Sequence, residues 1–276
     1  MPNLYLVGTP IGNLEDVTLR ALRVLREVSL IAAEDTRTTR KLLTHHGIRQ
    51  RLISYNEHNM RRRTPEILDA LASGDVALVS EAGMPGISDP GYELVVAVTE
   101  AGHPVVPIPG PSAVTTALAV SGLPCRQFTF LGFLPRRQAE RRRLLASLAT
   151  EQRTIVAFES PHRLRRTLDD MLATWGDRRL TACRELTKKF EELFRGRISE
   201  ALAHFLEPRG EFTLVVEGAP PAVATASEET VREELVRLKA QGLSPRQAVS
   251  EVARSTSLPR REVYRLWVET PPGKTQ

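Results

Sequence analysis

The sequence predicts an α/β protein with two α/β domains and a small helical module at its C-terminal end. Short apolar runs alternate with amphipathic stretches through the first half of the chain, which is typical of a parallel sheet with helical crossovers. Beyond Gly122 there are fewer helical stretches for each strand-like run, which indicates a mixed sheet. A proline-rich segment then precedes three short helical patterns, which indicate a separate module.

The first domain is predicted to cover residues 1–111. Its strands are expected at residues 4–7, 30–33, 52–55, 76–79 and 105–108. The helix after the first strand carries a leucine stripe, with Thr18 as its N-cap. We expect a later helix to begin at Thr64, with Pro65 in the first helical position, and another to span residues 92–101.

The second domain is predicted to cover residues 112–219. Its helices are expected at residues 112–121, 137–149 and 164–175, and its strands at residues 154–158, 180–183 and 212–216. Residues 220–227 have the composition of a linker, and residues 228–270 form the helical module. Its last two helices, joined around residues 255–257, resemble a helix-turn-helix.

Composition places the chain among ordinary globular proteins, because 41% of its 276 residues are hydrophobic and 26% are charged. No apolar run approaches the length of a membrane span, and no basic segment with an apolar core precedes the first strand. Cys125 and Cys183 belong to no cluster with metal-ligand spacing. We therefore expect a cytoplasmic protein without membrane contact, with two reduced core thiols and no metal.

Arginine is concentrated in one stretch of the chain. The net charge is +5, yet residues 133–166 alone hold nine arginines against three glutamates. A local surplus of this kind favours a polyanionic partner, and guanidinium groups suit bidentate phosphate contact. A second run, Arg61–Arg63, is expected in a loop. The candidate RNA contacts are Arg61, Arg62, Arg63, Arg136, Arg137, Arg141, Arg142, Arg143 and Arg163, with Arg260 and Arg261 in the helical module.

Three loops rich in glycine and proline follow predicted strands, at residues 8–13, 80–91 and 109–113. Loops at the carboxyl ends of parallel strands are where open α/β sheets bind ligands. Neither the dinucleotide-binding pattern of glycines nor a P-loop is present in them. The loops therefore predict a site for a small ligand that is not held mainly by its phosphates.

Taken in order, these loops and several later motifs identify a family. The motifs are residues 7–14, 33–37, 81–91, 109–113, 130–135, 158–163, 183–189 and 210–215. Together they resemble the tetrapyrrole methylase superfamily, and more narrowly its ribosomal RNA branch. The resemblance is close over residues 1–218 and looser over the terminal module. Glu81 and Met84 depart from the family pattern, which has Asp and Thr there, but the glycines and prolines of the loop remain.

The resemblance implies a two-domain tetrapyrrole-methylase-like fold that binds S-adenosylmethionine between its domains. It implies a homodimer that methylates the ribose 2′-hydroxyl of a cytidine, cytidine 1402, in the decoding region of 16S ribosomal RNA. Whether free RNA or the 30S subunit is the substrate is left open. The residues implied to line the cofactor pocket are Pro10, Glu81, Ala82, Gly83, Ile87, Ser112, Ala113, Phe158 and Glu159.

The catalytic group is not determined by the sequence. A ribose hydroxyl is a poor nucleophile until its proton is removed or its oxyanion is stabilised. Carboxylates at strand ends could accept the proton, and nearby cations could stabilise negative charge. The candidates are Glu34, Asp35, Arg37, Asp89, Lys188 and Lys189, together with Glu81 and Glu159.

Three other functions fit parts of the pattern. A tetrapyrrole methyltransferase would share the fold and cofactor, but would have no use for the arginine-rich segment or the helical module. Methylation in the diphthamide pathway would act on a protein side chain. A non-catalytic RNA-binding factor for ribosome assembly could have kept the fold without the activity, and affinity for S-adenosylmethionine separates it from an enzyme.

Overall fold

The computed structural model describes residues 1–221, 228–256 and 258–270. The chain divides into two compact units, Met1–Ala219 and Pro220–Gln276. The described residues of unit 1 form two five-stranded sheets, and those of unit 2 form three helices. Within the described ranges, no helix is long and apolar enough to cross a membrane.

The first sheet is parallel throughout and has the strand order β3-β2-β4-β1-β5. Its strands are β1 (Leu4–Val7), β2 (Leu30–Ala33), β3 (Leu52–Ser54), β4 (Val76–Val79) and β5 (Val105–Ile108). Every residue of β2 and β4 is buried, as expected for inner strands that are covered on both faces. The parallel sheet predicted for the first half of the chain is confirmed.

Helices cover both faces of this sheet. They are α1 (Leu19–Glu27), α2 (Thr36–His45), α3 (Met60–Leu71) and α4 (Tyr92–Glu100). Leu25 of α1 and Leu42 of α2 pack in one core, while Ile67 of α3 and Leu94 of α4 pack in the core on the other face. Thr18 caps α1 as predicted, because its hydroxyl accepts the Ala21 N–H at 3.0 Å.

Two predictions for the first domain are wrong. Helix α3 begins at Met60, not at Thr64, so Arg61, Arg62 and Arg63 lie on a helix and not in a loop. Pro65 stands inside that helix, where the Thr64 hydroxyl donates to the Met60 carbonyl at 2.9 Å. Helix α2 was not predicted, because its polar, threonine-rich sequence has low helix propensity. The Asp35 carboxylate compensates by accepting the Arg37 and Thr38 N–H groups at its start.

The second sheet is mixed and has the order β6-β7-β10-β8-β9. Its strands are β6 (Phe128–Phe133), β7 (Thr154–Glu159), β8 (Arg179–Arg184), β9 (Glu192–Arg197) and β10 (Phe212–Val216). Only β6 and β7 run parallel to each other, and the other neighbours are antiparallel. Strand β9 was missed because its polar sequence suits an exposed edge position more than a core strand.

The helices around this sheet are α5 (Ala113–Ser121), α6 (Gln138–Ser147), α7 (Pro161–Trp175) and α8 (Ile198–His204). Helix α7 starts three residues before the predicted Leu164, with Pro161 in its first turn. Helix α8 was not predicted. Cys183 is buried and Cys125 is exposed, so the expectation of two core thiols is wrong for Cys125.

Unit 2 contains α9 (Glu228–Ala240), α10 (Pro245–Thr256) and α11 (Arg260–Glu269). Leu235, Val252 and Leu266, one from each helix, share a single buried core. The three helical patterns predicted for the module are therefore confirmed. Residues 222–227 of the predicted linker and Ser257 of the predicted inter-helix turn lie outside the described residues.

Candidate active site

The three strand-exit loops of the first sheet meet at one edge. The Thr9 N–H donates to the Gly83 carbonyl at 2.9 Å, and the Gly83 N–H donates back to the Thr9 carbonyl at 3.0 Å. A Cβ placed on Gly8 would lie 2.7 Å from the Gly110 Cα, so these two backbones approach too closely for any side chain. The loops after β1, β4 and β5 therefore form one structure, as the sequence predicted.

The loop at residues 80–91 has an unusual backbone. Gly83 has φ 80° and Gly86 has φ 83°, a region that glycine enters without steric cost. Ser88 has φ 63°, which is uncommon for a residue with a side chain. The Ser80 hydroxyl holds the start of the loop by donating to the Ala82 carbonyl at 3.2 Å. This backbone leaves Ile87 56% exposed beside the loop edge.

Segments of the second sheet border the same loops. The Asn13 N–H donates to the Thr187 hydroxyl at 3.1 Å, and Gly12 lies against the Lys188 side chain. The end of β6 reaches the other side, because a Cβ on Gly132 would lie 2.7 Å from the Ser88 Oγ. The edge of the first sheet is thus bounded by residues of the second.

Most residues of the implied cofactor set lie around these loops with accessible atoms. Glu81 and Ala82 are exposed, and Pro10, Ser112 and Ala113 are partly buried. Phe158 and Ala113 pack on one apolar cluster with Ile11. The Ser112 side chain makes no cap hydrogen bond to α5 and is therefore available to a ligand.

Glu159 is the exception in this set. It is 1% exposed, and its carboxylate accepts from the Thr167 hydroxyl at 2.6 Å and the Ser160 N–H at 2.8 Å. Arg163 forms an ion pair with the same carboxylate at 3.3 Å. The Glu159 side chain is thus committed to contacts inside the protein.

Three carboxyl groups cluster beside the loop. The Glu34 carboxylate accepts the Glu81 N–H at 3.1 Å, which joins the ends of β2 and β4. Burial, and then the negative charge of Glu34, raise the pKa of Asp89 to about 7, although a hydrogen bond to Ser80 opposes the shift. Burial also raises the pKa of Glu34. Asp89 can therefore both hold and release a proton near neutral pH.

The structure disfavours Asp35 as a proton acceptor. Its hydrogen bonds to the Arg37 side chain and N–H lower the pKa of Asp35 to about 2. The same carboxylate caps α2, and its Oδ2 lies 2.9 Å from the Arg37 guanidinium. Asp35 thus holds the helix and Arg37 in place and stays ionised at neutral pH.

Lys188 is paired with two carboxylates. Its ammonium group lies 2.8 Å from Glu211 and 3.0 Å from Glu185. Burial opposes its charge, but the hydrogen bonds to Glu211 and Glu185 outweigh burial and raise the pKa of Lys188. The charge of Lys188 is therefore already balanced by these two carboxylates. The neighbouring Lys189 is exposed to solvent.

Two of the proposed RNA contacts have guanidinium groups that are engaged inside the protein. Arg141 is 3% exposed and donates to the Asp170 carboxylate at 2.6 and 2.8 Å. Arg163 is bound to Glu159 and to the Leu134 carbonyl. Neither guanidinium group is free to meet a phosphate.

The other candidates are more accessible. Arg63 is partly buried and paired with Glu66. Exposed positions are held by Arg61, Arg62, Arg136, Arg137, Arg142, Arg143, Arg260 and Arg261.

A further basic surface was missed in the sequence. Arg40 and Lys41 of α2 are exposed, and Arg40 lines a groove of about 450 Å³ together with Arg49 and Arg51. These residues are scattered in sequence and come together only because α2 is a helix. Recognising Asp35 as an N-cap would have revealed α2 and this surface.

Comparison with known proteins identifies relatives along the whole chain. Residues 3–202 match the family model described as Tetrapyrrole (Corrin/Porphyrin) Methylases, and residues 225–269 match the RsmI C-terminal HTH domain. A Synechocystis protein named Ribosomal RNA small subunit methyltransferase I is 52% identical over 271 residues, covering 96% of this chain and 97% of the relative. A Thermotoga maritima protein of the same name is 55% identical over 221 residues, covering 79% of this chain and 99% of the relative.

Solved structures with a similar fold are more distant in sequence. A diphthine synthase aligns with a TM-score of 0.62 at 14% identity, covering 78% of this chain and 90% of its own. A uroporphyrin-III C-methyltransferase from Thermus thermophilus, complexed with S-adenosyl homocysteine, aligns with a TM-score of 0.56 at 22% identity, covering 78% and 97%. At these identities the comparison shows a shared fold alone.

Proposed function

The chain belongs to the tetrapyrrole methylase family, and on that premise we propose that it transfers a methyl group from S-adenosylmethionine to ribosomal RNA of the small subunit. One observation carries this proposal, namely the 52% identity to a small subunit rRNA methyltransferase across 96% of the chain. The loops that meet at the edge of the first sheet support a small-ligand site, and the exposed arginines support a polyanionic substrate.

We further propose that the acceptor is the ribose 2′-hydroxyl of a cytidine in the decoding region of 16S ribosomal RNA. We also propose that the enzyme is a cytoplasmic homodimer and that it acts on this RNA either free or within the 30S subunit. These finer assignments rest on the family resemblance of the loops and of residues 158–163 and 183–189.

The residues of the site fit S-adenosylmethionine. The exposed residues Glu81 and Ala82, with Ile87 beside them, offer polar and apolar contacts to a nucleoside. The carboxyl groups of Glu34, Glu81 and Asp89 give this edge a negative potential, which suits a sulfonium cation. When bound, S-adenosylmethionine supplies an activated methyl group.

The protein's own contribution is to position and deprotonate the acceptor. Methyl transfer needs the attacking oxygen in line with the bond that breaks, so rigid loops are an advantage. The paired Thr9 and Gly83 backbones and the close Gly8–Gly110 contact provide that rigidity. We propose that the Asp89 carboxylate accepts the 2′-hydroxyl proton, because its raised pKa of about 7 matches that task.

Replacing Gly83 with valine should weaken S-adenosylmethionine binding while the protein stays folded. Gly83 has φ 80°, which a β-branched residue adopts only with strain. Its Cβ would have only ordinary contacts, 3.6 Å from Ile11 and Pro111, so the strain acts on the loop and not on the core. Calorimetry with S-adenosylmethionine measures the effect. The matched control is Gly102→Val, which has φ 81° but no atom near its Cβ. Equal affinity for both variants would remove this loop from the pocket.

Neutralising the exposed arginines of the basic segment should weaken RNA binding and reduce its salt dependence. We choose Arg136, Arg137 and Arg143 for alanine substitution, and leave out Arg141 because it is buried. The slope of log Kobs against log salt is negative, and each lost phosphate contact makes it shallower by roughly 0.7–0.9. The control substitutes Arg20, Arg126 and Arg209, which are also exposed in unit 1. Equal slopes for the two triple variants would mean that the basic segment does not contact RNA.

Unit 1 should bind S-adenosylmethionine without unit 2. The Thermotoga relative is covered to 99% by an alignment that spans only 79% of this chain, a share similar to that of unit 1. The buried core residues described for unit 2 also all come from its own three helices. A chain ending at Ala219 should keep its cofactor affinity in calorimetry and lose affinity for RNA, because Arg260 and Arg261 are then absent. A truncated protein that binds RNA as well as the full chain would exclude unit 2 from RNA docking.

The proposed function is tested by methyl transfer from labelled S-adenosylmethionine. The acceptors are unmethylated 30S subunits, free 16S RNA and a porphyrinoid such as uroporphyrinogen III. We expect label in the RNA, and mapping of the modified nucleotide then gives its position and the methylated atom. Label in the porphyrinoid alone would indicate a tetrapyrrole methyltransferase. No label with tight RNA binding would indicate a non-catalytic assembly factor.

A further inference from the structure

Phe133 is an aromatic side chain exposed at the edge of the candidate site. It is the last residue of β6 and is 58% exposed, although Gly132 and Leu134 on either side are buried. Single exposed apolar side chains are ordinary, so the neighbours of this ring decide whether it has a role. Nothing in the cofactor or catalytic assignments above uses it.

The Phe133 ring packs against one further ring, which itself packs against a second. Its centroid lies 5.5 Å from that of Phe158, and Phe158 lies 5.1 Å from Phe130 in an edge-on arrangement. Both distances are within the range of favourable aromatic pairs. Phe130 and Phe158 also pack on the apolar cluster around Val156. The ring is therefore held on a rigid base while more than half of the side chain remains open to solvent.

A bulge or similar irregularity interrupts β6 close to where the strand meets the loop at residues 80–91. The pairing of β6 with β7 shifts register between Phe130 and Phe133, and Gly132 has φ 63°. Bulges re-aim side chains and are frequent beside active sites. Gly132 contacts Ser88. Phe133 is the residue after Gly132, and Asp89 is the residue after Ser88. Phe133 is thus placed next to the segment that carries the proposed base.

Positive charge follows immediately along the chain. Arg136 and Arg137 are both exposed and lie three and four residues after Phe133. An exposed ring with guanidinium groups nearby is the combination by which proteins bind single-stranded nucleic acid, since bases stack on the ring and phosphates pair with the cations.

We propose that Phe133 is a stacking platform for a nucleobase of the RNA, adjacent to the ribose whose hydroxyl proton Asp89 accepts. This proposal rests on the proposed function. A base of single-stranded RNA is free to stack on an aromatic ring, and such a contact stabilises the conformation that holds its ribose at the site. Phe133 would therefore contribute to RNA binding and leave cofactor binding unaffected.

The test measures RNA binding directly and does not depend on methyl transfer. The probe is a single-stranded RNA carrying a fluorescent cytidine analogue whose emission is quenched by stacking. Phe133→Ala should raise its Kd by about 5- to 150-fold and abolish the quenching. Phe133→Leu, which keeps an apolar side chain, should behave like alanine, whereas Phe133→Trp should keep both affinity and quenching. The affinity for S-adenosylmethionine should be unchanged in all three variants.

Phe128 provides a matched control, because it is an exposed phenylalanine at the opposite end of the same strand. Phe128→Ala should bind the RNA like the unaltered protein. An equal loss for both alanine variants would overturn the proposal, as would full affinity in Phe133→Leu. A raised Kd for S-adenosylmethionine with unchanged RNA binding would instead assign the ring to the adenine of the cofactor.

The outcome is separable from that of the proposed function. If the unaltered protein binds RNA through Phe133 but transfers no methyl group, the stacking platform stands and the enzymatic proposal fails. If methyl transfer proceeds and Phe133→Ala has no effect on RNA binding, the stacking platform alone is wrong.

Discussion

The Asp89→Asn protein is expected to methylate RNA about 100- to 10,000-fold more slowly than the unaltered enzyme, which is the usual range for loss of a general base. Asparagine keeps the size of the side chain and cannot accept a proton. Single-turnover kinetics with 30S subunits measures the step without interference from product release. Affinity for the RNA should remain, since the exposed arginines are unchanged.

The pH dependence distinguishes a base from a merely structural residue. Because the pKa of Asp89 is about 7, kcat/KM of the unaltered enzyme should rise with pH through that value and level off above it. The rise should be missing in Asp89→Asn and present in the control Asp69→Asn, which alters an exposed carboxylate on α3. A rise that persists in Asp89→Asn would assign the base to another group.

The same shift has a consequence for stability. The pKa of Asp89 is raised from 3.8 to about 7 in the folded protein, so between these values the folded state holds a proton that the unfolded state has released. The free energy of unfolding contributed by Asp89 should therefore fall as pH rises from about 4 to about 7. The fall should be smaller in Asp89→Asn, as measured by urea denaturation across that range.

Asp170→Ala is expected to destabilise unit 1 by about 3–5 kcal/mol, the range for breaking a buried ion pair. Asp170 and Arg141 are 1% and 3% exposed, and Asp170 also accepts from Arg142 at 2.7 Å. Without Asp170 the Arg141 guanidinium is left buried without a counter-charge. Urea denaturation of the variant measures the change in the free energy of unfolding.

Two further variants show whether the unpaired charge of Arg141 causes the loss of stability in Asp170→Ala. Glu140→Ala removes an exposed pair with Arg137 on the same helix and should change stability little. Replacing both buried partners, as in Arg141→Met with Asp170→Leu, should recover much of the loss because no unpaired charge remains. A double variant as unstable as Asp170→Ala would mean that packing, and not charge, accounts for the effect.

The sequence contains enough information for the parallel sheet but not for every element. The strands of the first sheet are short apolar runs bounded by glycine, proline or polar residues, so local pattern and tertiary burial agree. Helix α2 and strand β9 are polar, and their places depend on a cap at Asp35 and on pairing with β8. Pro65 misled the prediction of α3 because proline favours the first turn of a helix without requiring it.

The site shows the same division. The glycine-rich loops were evident from sequence, since their backbone requirements are local. The burial and pairing of each charged side chain could not be predicted, because they depend on a partner that is distant in sequence. Arg141 resembles its exposed neighbours Arg142 and Arg143 until Asp170, 29 residues later, pairs with it. Asp89 likewise looks like an ordinary loop aspartate until burial beside Glu34 changes its proton affinity.

The contact between Gly8 and Gly110 has a consequence for altering the donor specificity of this protein. Because a side chain fits at neither position, mutant libraries that include them would consist mainly of misfolded loops. Diversity is better placed at Ile87, which is 56% exposed, and at Ser112, whose side chain makes no cap hydrogen bond to α5. Enlarged analogues of the methyl donor, such as those with bulkier sulfonium substituents, would then be accommodated by substitutions at these two positions.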